Sequence, residues 1–372
     1  VDITDAKAPK AGDALLMDGE PTSVAALGNK VLVAVNTSES KVNPSGRLAV
    51  VDIASKAIDL TCDLGGQPDS VAISPDKTFA VVAIENERDE ELNEGKLPQM
   101  PAGDLVIVGL KDGTVDCASL KHVAMTGLAG VAGDDPEPEF VAINSLGEIA
   151  VTLQENNHIA IVDGKTGEVK AHFSAATVDL EGIDTKSEGA LKFSGSKEGV
   201  PREPDAVKWL DDNRLVVANE GDWNGGSRGF TIFDKTGKVA YEAGASLEMA
   251  IAQIGHFPDK RAKSKGVELE GLEGGLFEPA QYQALVPLLA LSVPAVLARY
   301  LAQADAVTRF DLAQRVAGGV DQLVTYRPDW LAAWSANRLV LPPGTDDEAW
   351  QAALWRRLQA EITATADGVV IS

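Results

Sequence analysis

The stretch that decides the fold is Asp135-Pro136-Glu137-Pro138-Glu139-Phe140-Val141-Ala142, which is followed sixteen residues after Glu139 by Glu155. The same order of turn, apolar strand, tight turn, second strand and acid begins again at Pro68 and Pro204, and in a worn form at Pro21. A further strand ending in Asp closes three of the copies. Repeats built from short strands indicate the blades of a β-propeller, in which neighbouring repeats bury one another's apolar faces.

Three of the copies carry one acid at the start of the first strand and another after the second strand. Superposing the copies predicts two rings of acids around a channel, Asp69, Glu139 and Asp205 in one and Glu85, Glu155 and Glu220 in the other. Carboxylates crowded around one axis repel one another unless a proton or a cation lies among them.

Hard oxygen ligands suit Ca²⁺ or Mg²⁺, so these acids predict a cation site. We predict calcium as the cofactor, with Glu85, Glu155 and Glu220 as its ligands and with Asn86 and Asn156 adding amide oxygens. The alternative is that each Glu caps backbone amides of its own blade. The chain has no P-loop and no H-E-x-x-H motif, and the sequence assigns no catalytic residue.

The segments between the repeats give separate expectations. Residues 88–103, rich in Glu and Pro, are predicted to be a solvated surface loop, and residues 176–199 a polar insertion with little apolar period. Residues 221–226 have the composition of a simple glycine-rich turn. A short helix is expected over 247–254, and residues 265–272 resemble the opening of a fifth copy.

Composition limits the classes of protein and of partner. The chain has 372 residues, 45% of them hydrophobic, and a formal net charge of −23, which indicates a globular protein and argues against a nucleic-acid-binding surface on the propeller. An acidic surface suits an exported protein or one that binds cations. The two cysteines, Cys62 and Cys117, form either one disulfide in an oxidising compartment or two buried thiols.

The chain divides near residue 274 into parts of different composition. All lysines lie at or before Lys265, and four of the six tryptophans lie beyond the division. Residues 1–273 are predicted to be a mainly-β, partial propeller of four-stranded blades, and residues 274–372 a small α-helical segment. The apolar run 284–298 is too short and too interrupted by proline to span a bilayer, so no transmembrane segment is expected.

Four motifs of the first part resemble those of one known family. They are Asp-Pro-Glu-Pro-Glu-Phe-Val-Ala at 135–142, Val-Thr-Leu-Gln-Glu-Asn-Asn at 151–157, Val-Val-Ala-Asn-Glu-Gly-Asp at 216–222 and Gly-Val-Glu-Leu-Glu-Gly-Leu at 266–272. Together they are similar to the secreted choice-of-anchor I propellers, which are related to phytase-like esterases. The resemblance implies an extracellular, periplasmic or cell-surface protein. It also implies either a calcium-dependent hydrolase of small phosphate esters or a non-catalytic module that binds a surface ligand.

The second part resembles a different family. Phe-Asp-Leu-Ala-Gln-Arg-Val-Ala at 310–317, together with residues 321–334 and 347–358, is similar to the gamma chain of exonuclease V, called RecC. The resemblance covers residues 276–365 and implies a cytoplasmic DNA-repair fragment whose partners are the other helicase–nuclease subunits. Because the two resemblances imply different compartments, the sequence predicts a truncated or chimeric chain.

Overall fold

A computed structural model describes residue 4 and residues 8–12, 14–89, 91–253 and 255–272. All of them belong to the first of two units into which the chain divides, Val1–Gly274. The predicted helical segment, 274–372, lies outside the described residues, and so does its boundary with the propeller. Both stay predictions.

The described residues form four-stranded antiparallel sheets, as predicted, and we call these sheets blades 1 to 4. Blade 1 contains β1 (Glu20–Leu27), β2 (Lys30–Asn36), β3 (Gly46–Asp52) and β4 (Ala57–Asp63). Blade 2 contains β5 (Pro68–Ile73), β6 (Phe79–Ile84), β7 (Asp104–Lys111) and β8 (Thr114–Ala124). Blade 3 contains β9 (Pro138–Ile143), β10 (Glu148–Leu153), β11 (His158–Asp163) and β12 (Val169–Ser174).

The segment after blade 3 differs from its prediction. Residues expected to be an irregular polar insertion form a hairpin of β13 (Thr177–Ile183) and β14 (Gly195–Pro201). One face of this hairpin buries Val178, Leu180, Ile183 and Val200, so it has its own small apolar cluster. The apolar alternation is short and lies among charged residues, so the sequence pattern does not predict these strands.

Blade 4 follows, with β15 (Pro204–Trp209), β16 (Arg214–Asn219), β17 (Gly229–Asp234) and β18 (Val239–Glu242). The chain then forms helix α1 (Ser246–Gln253), close to the expected position, and a single helical turn, Asp259–Arg261. No helix in the part of the chain that the structure describes has the length and hydrophobicity needed to cross a bilayer.

Apolar clusters fill the spaces between successive blades. The second strands β6 and β10 are buried at every position, because each lies in a blade covered by a neighbour on both faces. One cluster joins each pair of neighbours, through Leu48 and Val82, through Leu105 and Val151, and through Ile159 and Val217. Blade order in space therefore follows blade order in the chain.

The first strand of each blade is the innermost one. β1 contacts β5, β5 contacts β9, and β9 contacts β15, so the four first strands lie side by side. The residues at the second position of the four first strands therefore lie near one another. This arrangement positions the acids that the repeats share.

The Asp residues that end the third strands serve a local purpose. Asp52, Asp163 and Asp234 accept hydrogen bonds from the backbone amides of Ser55 (2.8 Å), Thr166 (2.9 Å) and Thr236 (2.9 Å). The pKa of each Asp is held below its ordinary value, for Asp52 and Asp163 mainly by these backbone amides and for Asp234 mainly by the hydroxyl of Thr236, which donates at 2.6 Å. The three acids therefore cap turns between the third and fourth strands.

The two cysteines form a disulfide, which settles the alternative left open by the sequence. Cys62 in β4 and Cys117 in β8 have their Cα atoms 5.4 Å apart. The bond links the outermost strands of blades 1 and 2.

Candidate functional site

The three acids of the first predicted ring occupy equivalent positions and influence one another. Asp69, Glu139 and Asp205 are the second residues of β5, β9 and β15, and all three are partly buried. Burial raises the pKa of Glu139 well above its ordinary value, and repulsion from Glu85, Asp69 and Asp205 adds to the shift. Burial also raises the pKa of Asp69 to about 7. The first ring therefore gathers carboxyl groups that are hard to ionise together.

Asp205 connects the two predicted rings. Its pKa is raised to about 8, first by burial and then by repulsion from Glu220, Asp69 and Glu270. The pKa of Glu220 is raised to about 7 by burial and by Asp222, against an opposing effect of Lys265.

The acids of the second predicted ring follow the second strands of their blades, but they have unlike surroundings. Burial raises the pKa of Glu85 well above its ordinary value, with added repulsion from Asp69 and from other acids. Glu85 also accepts a hydrogen bond from Gln67 Nε2, at 3.2 Å. Glu155 forms an ion pair with Arg88. The three predicted calcium ligands therefore do not share one environment.

Arg88 is a residue whose role the sequence did not indicate. Its side chain is only 5% exposed, and it pairs with Asp135 (Nε to Oδ2, 3.2 Å), with Glu137 (Nη1 to Oε2, 2.9 Å) and with Glu155. Burial and the nearby Glu155 raise the pKa of Glu137 to about 10, despite the opposing charge of Arg88. The ring of Trp223 lies 5.6 Å from the guanidinium carbon. The predicted solvated loop thus begins with a buried charge.

Asn86 and Asn156 were predicted to add amide oxygens to a cation site, and their side chains are already engaged. Asn86 Oδ1 accepts a hydrogen bond from the backbone amide of Gln67, and Asn156 Oδ1 accepts one from Glu137, both at 2.9 Å. Asn156 Nδ2 also donates to three backbone carbonyls. These amides hold the ends of successive strands together, and the Oδ1 atom of each already accepts one hydrogen bond.

The alternative prediction was that the acids after the second strands cap backbone amides. The structure shows this kind of capping at another residue, Glu203. Glu203 is 1% exposed, and its Oε1 accepts the backbone amide of Asn224 at 2.7 Å. Backbone amides of Trp223 and Gly225 also lower its pKa, although burial raises it more. Glu203 therefore fixes the 221–226 turn, whereas the charges of Asp69 and Asp205 raise the pKa of Glu139.

Within the part of the chain that the structure describes, one trio of acids has the spacing of a cation site. A carboxylate oxygen from each of Glu220, Glu268 and Glu270 lies within 4.8 Å of the others. Lys265 pairs with Glu268 at 2.9 Å and also pairs with Asp222, and Arg261 pairs with Glu268. Of the predicted metal ligands, Glu220 belongs to this trio.

Glu268 and Glu270 lie in the segment predicted to open a fifth copy. The backbone amide of Ala206 in β15 donates to the carbonyl of Glu270 at 3.3 Å, so the segment lies beside the first strand of blade 4. Two acids separated by one residue occur here, as they do in Glu137-Pro138-Glu139 and Glu203-Pro204-Asp205. That shared spacing is the signal by which the sequence could have included Glu268 and Glu270.

Four antiparallel blades that meet through their first strands define a β-propeller domain. The chain belongs to the choice-of-anchor I domain family, whose model matches residues 1–225. Among solved structures it is similar to a hydrazine synthase of Kuenenia stuttgartiensis, with 12% identity, a TM-score of 0.38 and coverage of 58% of each chain. It is also similar to the Cps50 (Swd1) β-propeller domain of Myceliophteria thermophila, with 11% identity, a TM-score of 0.35 and coverage of 54% of this chain and 51% of the other.

The second part of the chain matches a different family. The model of the RecC N-terminal domain matches residues 282–370. The RecBCD enzyme subunit RecC of Escherichia coli is 47% identical over 49 residues, which are 13% of this chain and 4% of that relative. The chain therefore spans only a small fraction of that relative's length, and the matched family segment lies outside the described residues.

Proposed function

We propose that the propeller is an exported or cell-surface domain that binds Ca²⁺ through Glu220, Glu268 and Glu270. The observation that carries the proposal is the approach of three carboxylate oxygens to within 4.8 Å of one another. Ca²⁺ takes carboxylate oxygens at about 2.3–2.6 Å, so two oxygens on one ion lie at most about 5 Å apart. The trio has the ligand type and spacing that such an ion requires.

Neighbouring groups support this location. Asp205 lies close enough to Glu220 and Glu270 for both of their charges to raise its pKa. Lys265 and Arg261 both pair with Glu268, which leaves Glu220 and Glu270 with less compensation for their charge. A divalent ion offsets that repulsion. The family match supports an extracellular location, where calcium is available. The disulfide agrees with export, because such bonds persist in oxidising compartments.

Calcium titration of the full chain tests the site. The unfolding temperature and isothermal titration calorimetry are compared for the native protein, Glu220→Gln and Glu270→Gln. We expect Ca²⁺ to stabilise the native protein and each variant to bind it at least about tenfold more weakly, because a ligand charge is lost. Glu188→Gln is the matched control, since Glu188 is a surface acid paired with Lys192. Equal affinity in all four proteins would reject this site.

The family resemblance also supports hydrolysis of small phosphate esters at the calcium site. A bound Ca²⁺ would neutralise phosphoryl oxygens and polarise the phosphorus centre. Glu220, Glu268 and Glu270 would hold the ion. Phosphate release from phytate and from p-nitrophenyl phosphate is measured with Ca²⁺ and with a chelator.

We expect calcium-dependent release that is lost in Glu220→Gln and retained in Glu188→Gln. Calcium binding without phosphate release would support the other proposal, a non-catalytic propeller that binds a surface ligand. Phosphate release that is unchanged by the chelator would contradict the calcium-dependent mechanism.

We propose a second candidate function for residues 282–370, which is supported by the match to the RecC N-terminal domain. If this segment acts as an enzyme subunit, as its relative's name indicates, it binds the other subunits of the RecBCD enzyme. Co-purification of the full chain with those subunits tests this, and absence of a complex rejects it. Detecting the tryptic peptide 266–299 in native material would show that one polypeptide carries both parts, whereas finding each side joined to other sequence would support a chimeric origin.

A further inference from the structure

Two histidines on the outer half of blade 3 face one another. His158 begins β11 and His172 lies in β12, where the paired residues are His158 with Ser174 and Ala160 with His172. The two histidines are therefore diagonal neighbours on one face of the sheet. His158 Nε2 and His172 Nδ1 are 3.0 Å apart, and the ring centroids are 5.2 Å apart.

The rings differ in accessibility in a way that suits a ligand pair. His158 is 5% exposed and is held by the sheet, while His172 is exposed to solvent. Burial and the neighbouring His172 lower the pKa of His158 to about 4, so its ring is neutral near pH 7, the form that binds metals. One nitrogen donor is thus preorganised, and the other can be reached from outside.

The buried side chain of His158 destabilises the fold through one polar atom that has no hydrogen-bond partner. Its Nδ1 atom is buried and has no hydrogen-bond partner. A neutral imidazole has one donor and one acceptor nitrogen, so a bond through Nε2 leaves Nδ1 unsatisfied in either tautomer. Such an atom costs about 1–3 kcal/mol, and an apolar residue on this strand would avoid that cost. Features that weaken a fold without local compensation are expected at functional sites.

The separation of the nitrogens fits one metal ion. At the usual metal–imidazole distance of roughly 2.0–2.1 Å, nitrogens that far apart subtend about 95° at the metal. This angle is close to the 90° of square-planar or tetragonal coordination, the geometry preferred by Cu²⁺ and Ni²⁺. The exposed ring of His172 needs only to turn for its Nδ1 lone pair to point at the ion.

We infer that His158 and His172 form a two-imidazole site for a divalent late transition metal, with Cu²⁺ bound most tightly. The order of divalent affinities places copper above nickel and zinc for nitrogen ligands. Water completes the coordination on the exposed side. The site is separate in ligand chemistry from the carboxylate trio, because imidazoles favour copper and carboxylates favour calcium.

Copper titration of the full chain in excess Ca²⁺ tests the inference. Affinity is measured by competition with glycine, and the coordinating atoms are identified by electron paramagnetic resonance. We expect one ion per chain with hyperfine coupling to two imidazole nitrogens. His172→Ala should weaken binding at least about tenfold, since removing even an outer-shell partner commonly has that effect.

Two further variants keep the test decisive. His172→Asn retains a polar group at this surface position and should lose copper as fully as His172→Ala. His122→Ala removes an exposed histidine that pairs with Asp104 at 2.7 Å, and it should leave the copper affinity unchanged. Equal affinity in His172→Ala and the native protein, or a spectrum without two imidazole nitrogens, overturns the inference.

Discussion

At the scale of single residues, the central feature is Arg88, which supplies one positive charge to a cluster of three carboxyl groups. Each of Asp135, Glu137 and Glu155 contacts its guanidinium, which is almost completely buried. Removing one partner from a buried ion pair is costly, because the remaining charges stay buried without compensation. The cluster should therefore depend on Arg88 far more than a surface pair depends on either partner.

Arg88→Met should lower the free energy of unfolding by about 3–5 kcal/mol at pH 7. Urea unfolding at pH 7 measures this, with Lys192→Met as the control because Lys192 forms an exposed pair with Glu188. Similar losses in the two variants would show that Arg88 has no special role.

The acids were predictable from the sequence, but their partners were not. Asp69, Glu139 and Asp205 were located because repeated blades place equivalent residues side by side, and the structure does so. Arg88 has no counterpart in the other copies, and its partners Asp135 and Glu155 lie 47 and 67 residues further along the chain. Local patterns carry no information about such contacts.

At the scale of elements, the disulfide joins two outer strands that otherwise have no shared hydrogen-bonded ladder. β4 pairs with β3, and β8 pairs with β7, so the covalent bond between Cys62 and Cys117 connects separate sheets. Its effect should appear in the stability of the propeller, because a cross-link restricts the unfolded chain.

The double variant Cys62→Ser and Cys117→Ser should unfold with a free energy lower by about 4 kcal/mol, as expected for a loop of this size. The sequence separation of the cysteines is 55 residues. Adding reductant to the native protein should reproduce the loss, and adding it to the double variant should have no effect. Reductant-insensitive unfolding of the native protein would contradict this expectation.

Sequence patterns predicted the regular blades better than the elements between them. β6 and β10 are continuous buried runs, so their strand character was evident. The β13–β14 hairpin has few apolar residues and is recognisable only after Val178 and Val200 are seen to pack together. Because each strand of the hairpin is stabilised by the other, the local sequence alone does not predict them.

At the scale of the whole molecule, partly buried acids make stability depend on pH. Asp69, Asp205 and Glu220 have pKa values of about 7, 8 and 7 in the folded protein. Their ordinary values in an unfolded chain are near 4. The folded state therefore binds more protons between about pH 4 and pH 8, and the free energy of unfolding falls as pH rises through that window.

Without calcium, the unfolding temperature should fall between pH 5 and pH 8 by at least about 2–4 °C, which corresponds to 1 kcal/mol in a domain of this size. Saturating Ca²⁺ should reduce this fall, because calcium binds the ionised carboxylates. Asp205→Asn should also reduce it, since an amide does not titrate. Calorimetric scans across the pH range measure these slopes. A calcium-free unfolding temperature that rises over this range would contradict the assignment.

The disulfide also has a consequence for the order in which the chain matures. Both cysteines lie within the first 117 residues, and blades 1 and 2 already share an apolar cluster. During synthesis the amino-terminal part of a chain emerges first and can fold first. In an oxidising compartment this pair of blades can be covalently closed before blade 3 has been made. Blades 3 and 4 would then fold against blades 1 and 2 after these two are covalently linked.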